Sequence, residues 1–322
     1  MIEIRNLVKR FGTITAVDGI SFAVGKGEVL GFLGPNGAGK STTMKMITGY
    51  LAPSGGEIRV MDKNVANEPI EAQKLIGYLP EGAPAYGDMT PRQFLAFVAD
   101  VRGLESGARS TALTRAVELT ELQGVLEQPI DTLSKGFRRR VGLAQAILHD
   151  PPVLIMDEPT DGLDPNQKHQ VRTLIAQMAR DKAIIISTHI LEEVDAVCSR
   201  ALIIDHGHIV ADGTPADLMA RSRYHNAVTV IIAEPQAELA RQVFRLQTSV
   251  LGHEERPAGH ERIAFTLIAR PGRQIAEGLL AALHERKVDA LEFSVEAGRL
   301  DEVFRTLTSL PANMPGQMGN AA

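Results

Sequence analysis

Only one of the 322 residues is a cysteine, Cys198, so neither an internal disulfide nor a cysteine-rich metal site is available to this chain. Such sparing use agrees with a reducing compartment, and Cys198 itself reads as a small buried hydrophobe. Long apolar runs are missing too. The longest, residues 183–187 and 227–233, fall well short of the ~20 residues a helix needs to cross a bilayer. An excess of positive charge is also absent: 34 Lys plus Arg against 39 Asp plus Glu leave a formal charge of −5, which offers no broad field for nucleic acid. The opening Met1–Arg5 alternates polar and apolar residues like a strand and lacks the basic-then-apolar layout of a secretory leader, so the expected location is the cytoplasm.

What remains is an ordinary globular composition, 44% hydrophobic and 23% charged, in a chain long enough for two modest domains. Up to about residue 222 strand-like and helix-like patterns alternate, with apolar runs at 29–33, 153–156, 183–187 and 201–205. That alternation predicts a mostly parallel, helix-covered α/β sheet. Between about 90 and 150 the strand signal disappears and helical patterns take over, which predicts a helical subdomain inserted into the α/β core. A polar stretch at 221–226 reads as a linker, and residues 227–310 follow a βαββαβ order, the pattern of a small α+β domain closed by a helix at 300–308. Residues 311–322, rich in Pro, Gly, Asn and small side chains, are expected to be a disordered tail.

The densest chemical signal is Gly34-Pro35-Asn36-Gly37-Ala38-Gly39-Lys40-Ser41-Thr42, which follows an apolar strand and opens a helical pattern. In that context the glycines let the backbone turn tightly and aim its N–H groups at anionic oxygens, while the helix start contributes the positive end of its dipole. Lys40 is expected to reach the β- and γ-phosphates of a nucleotide and the Ser41 hydroxyl to ligate Mg²⁺. A phosphate loop alone leaves kinases, GTPases, helicases and transport ATPases open.

Two further strand ends narrow the field. The run 153–156 terminates in Asp157 and Glu158, at the carboxyl end of a strand where open α/β sheets bind their ligands. Asp157 suits the coordination shell of Mg²⁺, and Glu158 suits a general base acting on the attacking water. Another strand, 183–187, leads to Thr188 and His189, whose ring nitrogens could sense a γ-phosphate and orient that water. Finally, Leu133-Ser134-Lys135-Gly136-Phe137 opens a helix with a hydroxyl and a glycine, a combination that serves either as a plain cap or as a second anion site.

This order of motifs resembles the nucleotide-binding subunits of ABC transporters over about the first 220 residues: phosphate loop, signature at Ser134–Phe137, acidic pair Asp157-Glu158, the loop from Thr160 to Asp164, and switch histidine His189. The resemblance implies a P-loop ATPase core. It also implies that Phe11 stacks on adenine, and that Ser134 and Gly136 hold the γ-phosphate of ATP bound to a second copy. Asp164 would then link the two sites, and two ATP molecules would be sandwiched in a head-to-tail homodimer on an integral membrane permease. The last third resembles the accessory domain of ATPases paired with ABC-2-type permeases, which makes export the expected direction and the cytoplasmic face of the membrane the expected place. Soluble relatives acting on ribosomes or DNA carry tandem ATPase units or long coiled-coil insertions, and neither appears here.

The sequence also departs from the family. Glu81 stands where a glutamine usually contacts Mg²⁺ and the permease, and Lys135 and Phe137 replace the common Gly and Gln of the signature. An acid at Glu81 could still serve Mg²⁺, though its charge near the γ-phosphate is unfavourable unless the metal neutralises it; a low-turnover regulatory subunit is therefore a second expectation. The basic triplet Arg138-Arg139-Arg140 reads as a solvated or interface-facing helix face.

Overall fold

The computed structural model describes residues 1–82 and 86–308, which divide into two compact units between Thr214 and Pro215. The expected disordered tail at 311–322 lies outside the described residues. In chain order the first unit contains β1 (Ile2–Phe11), β2 (Ile14–Val24), β3 (Val29–Leu33), α1 (Lys40–Ile47), β4 (Gly55–Val60), β5 (Lys63–Asn64), α2 (Pro69–Lys74) and β6 (Ile76–Leu79). It continues with α3 (Pro91–Val101), α4 (Ser106–Leu119), α5 (Lys135–Ile147), β7 (Val153–Asp157), α6 (Pro165–Met178), β8 (Ala183–Thr188), α7 (Leu191–Val197), β9 (Arg200–Asp205) and β10 (His208–Gly213).

Two sheets form the α/β part. One is antiparallel, in the order β2-β1-β4-β5; the other runs β10-β9-β3-β8-β7-β6, parallel except for its β10 edge. Strands β3 and β7 are buried along their whole length, which explains why both read as unbroken apolar runs rather than alternating ones. A single apolar cluster joins the two sheets, with Phe22 of the antiparallel sheet 5.5 Å from Phe32 of β3. Cys198 packs behind β3, so close that a Cβ on Gly31 would lie 2.9 Å from its sulfur, and burial pushes its thiol up to about 12. It is therefore the inert hydrophobe its sequence context suggests.

Register fixes where the strands end. Leu33 pairs with Thr188, Asp157 with Ser187 and Leu79 with Met156, so the residues that follow emerge together at one edge of the sheet. Between β6 and β7 the described regular elements are all helical. Helix α3 starts with a capping box in which Thr90 and Gln93 satisfy each other's backbone N–H, with Pro91 in the first turn, where its missing N–H costs nothing.

The second unit contains α8 (Pro215–Met219), β11 (Val228–Ala233), α9 (Ala237–Arg245), β12 (Val250–Pro257), β13 (Arg262–Ala269), α10 (Ala276–Glu285), β14 (Ala290–Val295) and α11 (Leu300–Thr308). Its antiparallel sheet has the order β12-β13-β11-β14, and α9 and α10 share its apolar core around Phe244 and Phe265, whose rings lie 5.1 Å apart. The βαββαβ order matches the sequence expectation. One boundary differs: a helix was expected from Gly272, but α10 begins at Ala276, because Gly272 adopts φ +72° and turns the chain before the helix can start.

Candidate active site

Gly34–Thr42 joins the centre of the parallel sheet to α1, and the fold dictates glycine at two of its positions. A Cβ at Gly34 would lie within 2.4 Å of the Ile204 carbonyl oxygen. Gly39, the residue before the helix, adopts φ +108°, and a Cβ there would come within 2.5 Å of the Ala16 carbonyl oxygen. The backbone can thus pass closely between β2, β9 and α1 only without side chains. Asn36 and Gly37 at the tip are exposed, Ala38 is buried, and Ser41 and Thr42 are half-buried in the first turn.

Lys40 points back into the loop. Its ammonium donates to the carbonyl oxygens of Gly34 at 2.7 Å and Pro35 at 3.1 Å and is only 8% exposed. Burial lowers its pKa from the ordinary lysine value, while the negative charges of Glu158, Asp157 and Glu81 pull it back up. Those three carboxylates therefore share one electrostatic neighbourhood with the loop, although they come from two different strand ends.

Asp157 ends β7 and is buried, its Oδ1 accepting a hydrogen bond from the Ser187 hydroxyl. Glu158 turns the corner with φ +52°, a left-handed conformation that costs a non-glycine residue roughly 1–2 kcal/mol. Its backbone N–H donates to Ser187 O at 3.0 Å, which holds the turn, and its carboxylate Oε1 lies 2.8 Å from Nδ1 of His189. The carboxylate is mostly buried at 14% exposure and the imidazole exposed at 58%, so the pair faces outward from the sheet edge. This arrangement can accept a proton from water at Glu158 while the imidazole holds the carboxylate in place.

The loop that carries His189 is braced from behind. Thr188 accepts from the Ile190 N–H at 3.0 Å and donates to Oε2 of buried Glu193 at 2.8 Å, and burial raises the Glu193 pKa above the usual carboxylate range. Glu81, exposed after β6, shares a cavity of about 240 Å³ with Gly82, Lys135, Arg138, Arg139, Glu158 and Asp161.

The remaining expected residues lie apart from this cluster or engage local partners. Ser134 caps α5, accepting from the Phe137 N–H at 3.3 Å. Gly136 is buried in the first turn of α5, where a Cβ would lie 2.6 Å from Gln167. Asp164 caps α6 in a capping box with Gln167, at 2.9 and 3.3 Å. Phe11 ends β1, 48% exposed as a residue, with the Lys9 ammonium 5.0 Å from its ring centroid, so it lies at the surface and not in the core.

The basic triplet departs from the sequence expectation. Arg139 and Arg140 are buried, at 6% and 8% exposure, because α5 packs against β6 on one side and against α3 and α4 on others. Arg140 pairs with Glu121 at 2.8 Å and Gln170 at 2.6 Å, and Arg139 reaches the strand ends described above. The spacing of α5 carried the signal: Gly136, Arg139, Arg140 and Leu143 share one helical stripe.

A glycine-rich turn between a central parallel strand and a helix, with an acidic pair and a histidine at the neighbouring strand ends, defines a P-loop nucleoside triphosphatase. The family described as "ABC transporter" matches residues 17–161. Linearmycin resistance ATP-binding protein LnrL of Bacillus subtilis is 33% identical over 96% of this chain and 98% of its own length. Nod factor export ATP-binding protein I of Paraburkholderia xenovorans is 36% identical over 95% and 96%. Among solved structures, an ATP-binding subunit of an ABC transporter superposes with a TM-score of 0.64 at 30% identity, over 68% of this chain and 91% of that one. The chain belongs to the ATP-binding subunits of ABC transporters: it binds and hydrolyses ATP and thereby powers transport.

Proposed function

We propose that this subunit binds Mg²⁺-ATP in a site completed by a second copy of itself and that hydrolysis drives export through a separate membrane permease. The observation that carries the proposal is the convergence of Lys40, Asp157, Glu158 and His189 at one sheet edge, while Ser134 caps its own helix and Gly136 lies beside Gln167 of α6. In this reading the N–H groups of Gly34–Thr42 and the Lys40 ammonium hold the α-, β- and γ-phosphates, and Phe11 stacks on adenine. Glu158 takes a proton from the attacking water, with its carboxylate oriented by His189. Ser134 and Gly136 close over the partner's γ-phosphate, and Asp164 lies at the seam between the two sites.

The donor set fits Mg²⁺. A hydroxyl at Ser41 and carboxylates at Asp157 and Glu81 are hard oxygen ligands, and this ion is held by one or two carboxylates with substrate phosphates rather than by an all-protein cage. No cluster of three or more His, Cys, Asp or Glu able to hold a metal occurs among the described residues. When bound, the ion would withdraw charge from the phosphate oxygens.

No helix among the described residues is long and apolar enough to cross a membrane. One surface feature supports a membrane partner. Beside the site, between β6 and α3, lies an open groove of about 540 Å³ lined by Tyr50, Ile70, Phe97 and Val101, all exposed despite being apolar or aromatic. We assign this groove to a permease on the cytoplasmic face of the membrane. Export is the direction named for the Nod factor relative, and an ABC-2-type permease remains the partner class that the sequence resemblance favours.

Mixing two inactive variants tests the shared site. A Lys40→Ala chain and a Ser134→Arg chain are each expected to lack ATPase activity, but the mixed dimer contains one intact composite site and should recover part of it. No recovery on mixing would refute the head-to-tail arrangement. Affinity purification from detergent-solubilised membranes should bring down an integral membrane protein; recovery of ribosomes without one would refute the transport assembly.

A further inference from the structure

Among the described residues Arg139 contacts no other charged side chain by hydrogen bond; its guanidinium is spent on backbone carbonyl oxygens from two separate strand ends. Nη1 donates to Pro80 O at 2.7 Å and Gly82 O at 3.1 Å, on either side of Glu81. Nη2 donates to Asp157 O and to Glu158 O, the latter at 2.5 Å, and Nε reaches Pro159 O at 3.4 Å. Five carbonyls from the β6 and β7 corners therefore converge on one planar cation rooted in α5, five residues after Ser134. Guanidinium hydrogen bonds are charge-assisted and directional, so the two corners are held at a fixed spacing. Glu158 needs such a brace, because its left-handed backbone is not the conformation a glutamate would choose.

We infer that Arg139 is a positioning residue for hydrolysis: it locks the Glu81 loop and the Asp157-Glu158 corner into one body and ties that body to the signature helix. Movement of α5, whether imposed by a second copy at Ser134 or by a partner at the Glu81 loop, then reaches the Glu158 corner through this side chain, alongside the exposed Lys135–Asp161 ion pair at 2.8 Å. Lysine cannot replace it, since one ammonium has three donors and no planar fork with which to span both corners. The inference rests on Glu158 being the general base.

The test compares Arg139→Lys, Arg139→Gln and Glu158→Gln in the full-length protein, measuring kcat, ATP dissociation constant and melting temperature for each. Arg139→Lys is expected to keep ATP affinity within about threefold and a native melting transition while kcat falls tenfold or more, with Arg139→Gln lower still. Wild-type kcat in both Arg139 variants, with Glu158→Gln inactive, would overturn the positioning role and leave the general base intact. Parallel loss of affinity, melting temperature and kcat in Arg139→Lys would also overturn it, by showing that the residue only supports folding. Activity retained in Glu158→Gln would instead refute the reading of the base itself.

Discussion

Glu158 and His189, thirty-one residues apart in sequence, meet through a 2.8 Å contact between Oε1 and Nδ1. Neither stands in the middle of a strand: each is the residue just beyond one, and the parallel pairing of Asp157 with Ser187 brings the two ends level. The pair therefore depends on sheet register as much as on the two side chains, because a slip of one residue would turn either away.

Replacing Glu158 by Gln keeps the shape of that corner and removes the proton acceptor. We expect kcat to fall by about 10²–10⁴, the usual contribution of a general base, with ATP affinity retained. Steady-state ATPase assays with size-exclusion chromatography in ATP will check this; the variant should accumulate as an ATP-bound dimer, and unchanged turnover would exclude Glu158 as the base.

At Lys40, the expected defect is in binding. Lys40→Ala removes the buried ammonium that the carbonyls of Gly34 and Pro35 hold in the loop. Isothermal titration with ATP should show affinity reduced at least tenfold, with the thermal melt little changed.

Backbone geometry predicts a different failure at Gly39. Gly39→Ala forces a Cβ into the Ala16 carbonyl at a φ of +108°. The cost should exceed the ~1–3 kcal/mol typical of a strained non-glycine backbone, because the contact is with main chain that cannot swing aside. Urea unfolding of the variant should show a clearly lower midpoint, and a wild-type midpoint would mean the loop adapts.

Acid sensitivity should trace in part to His149. Its ring Nε2 lies 3.2 Å from Ile76 O, and burial together with the nearby Arg102 and Lys182 cations pushes its pKa down to about 4. A base whose folded pKa lies below its unfolded value of 6.5 leaves the unfolded state holding more protons between those limits. Stability is therefore full above pH 6.5 and is lost as pH falls towards 4, by roughly 3 kcal/mol for this group. Urea melts from pH 7 to 4 should show a shallower decline for His149→Gln than for the wild type; parallel curves would remove His149 from the account.

The sequence alone determined the parts whose physics is local. The loop at Gly34–Thr42 is legible because tight turns, close approach and anion-facing N–H groups demand glycines at set spacing, and β3 and β7 are legible because strands buried on both faces must be apolar throughout. Capping chemistry likewise marked the starts of α3 and α5. The identity of Glu158 and His189 as candidates followed from their places after such strands.

Tertiary structure decided what lies between segments. Arg139 in a run of three arginines looked solvated, since charge density by itself does not reveal which face of α5 meets β6; only packing makes its guanidinium the common donor for two strand ends. The start of α10 shifted because a left-handed Gly272 turned the chain first, a choice that helical periodicity does not register. The meeting of Lys40 with the charges of Glu158, Asp157 and Glu81 was set by register across a parallel sheet, where pairing is non-local and no short stretch of sequence encodes it.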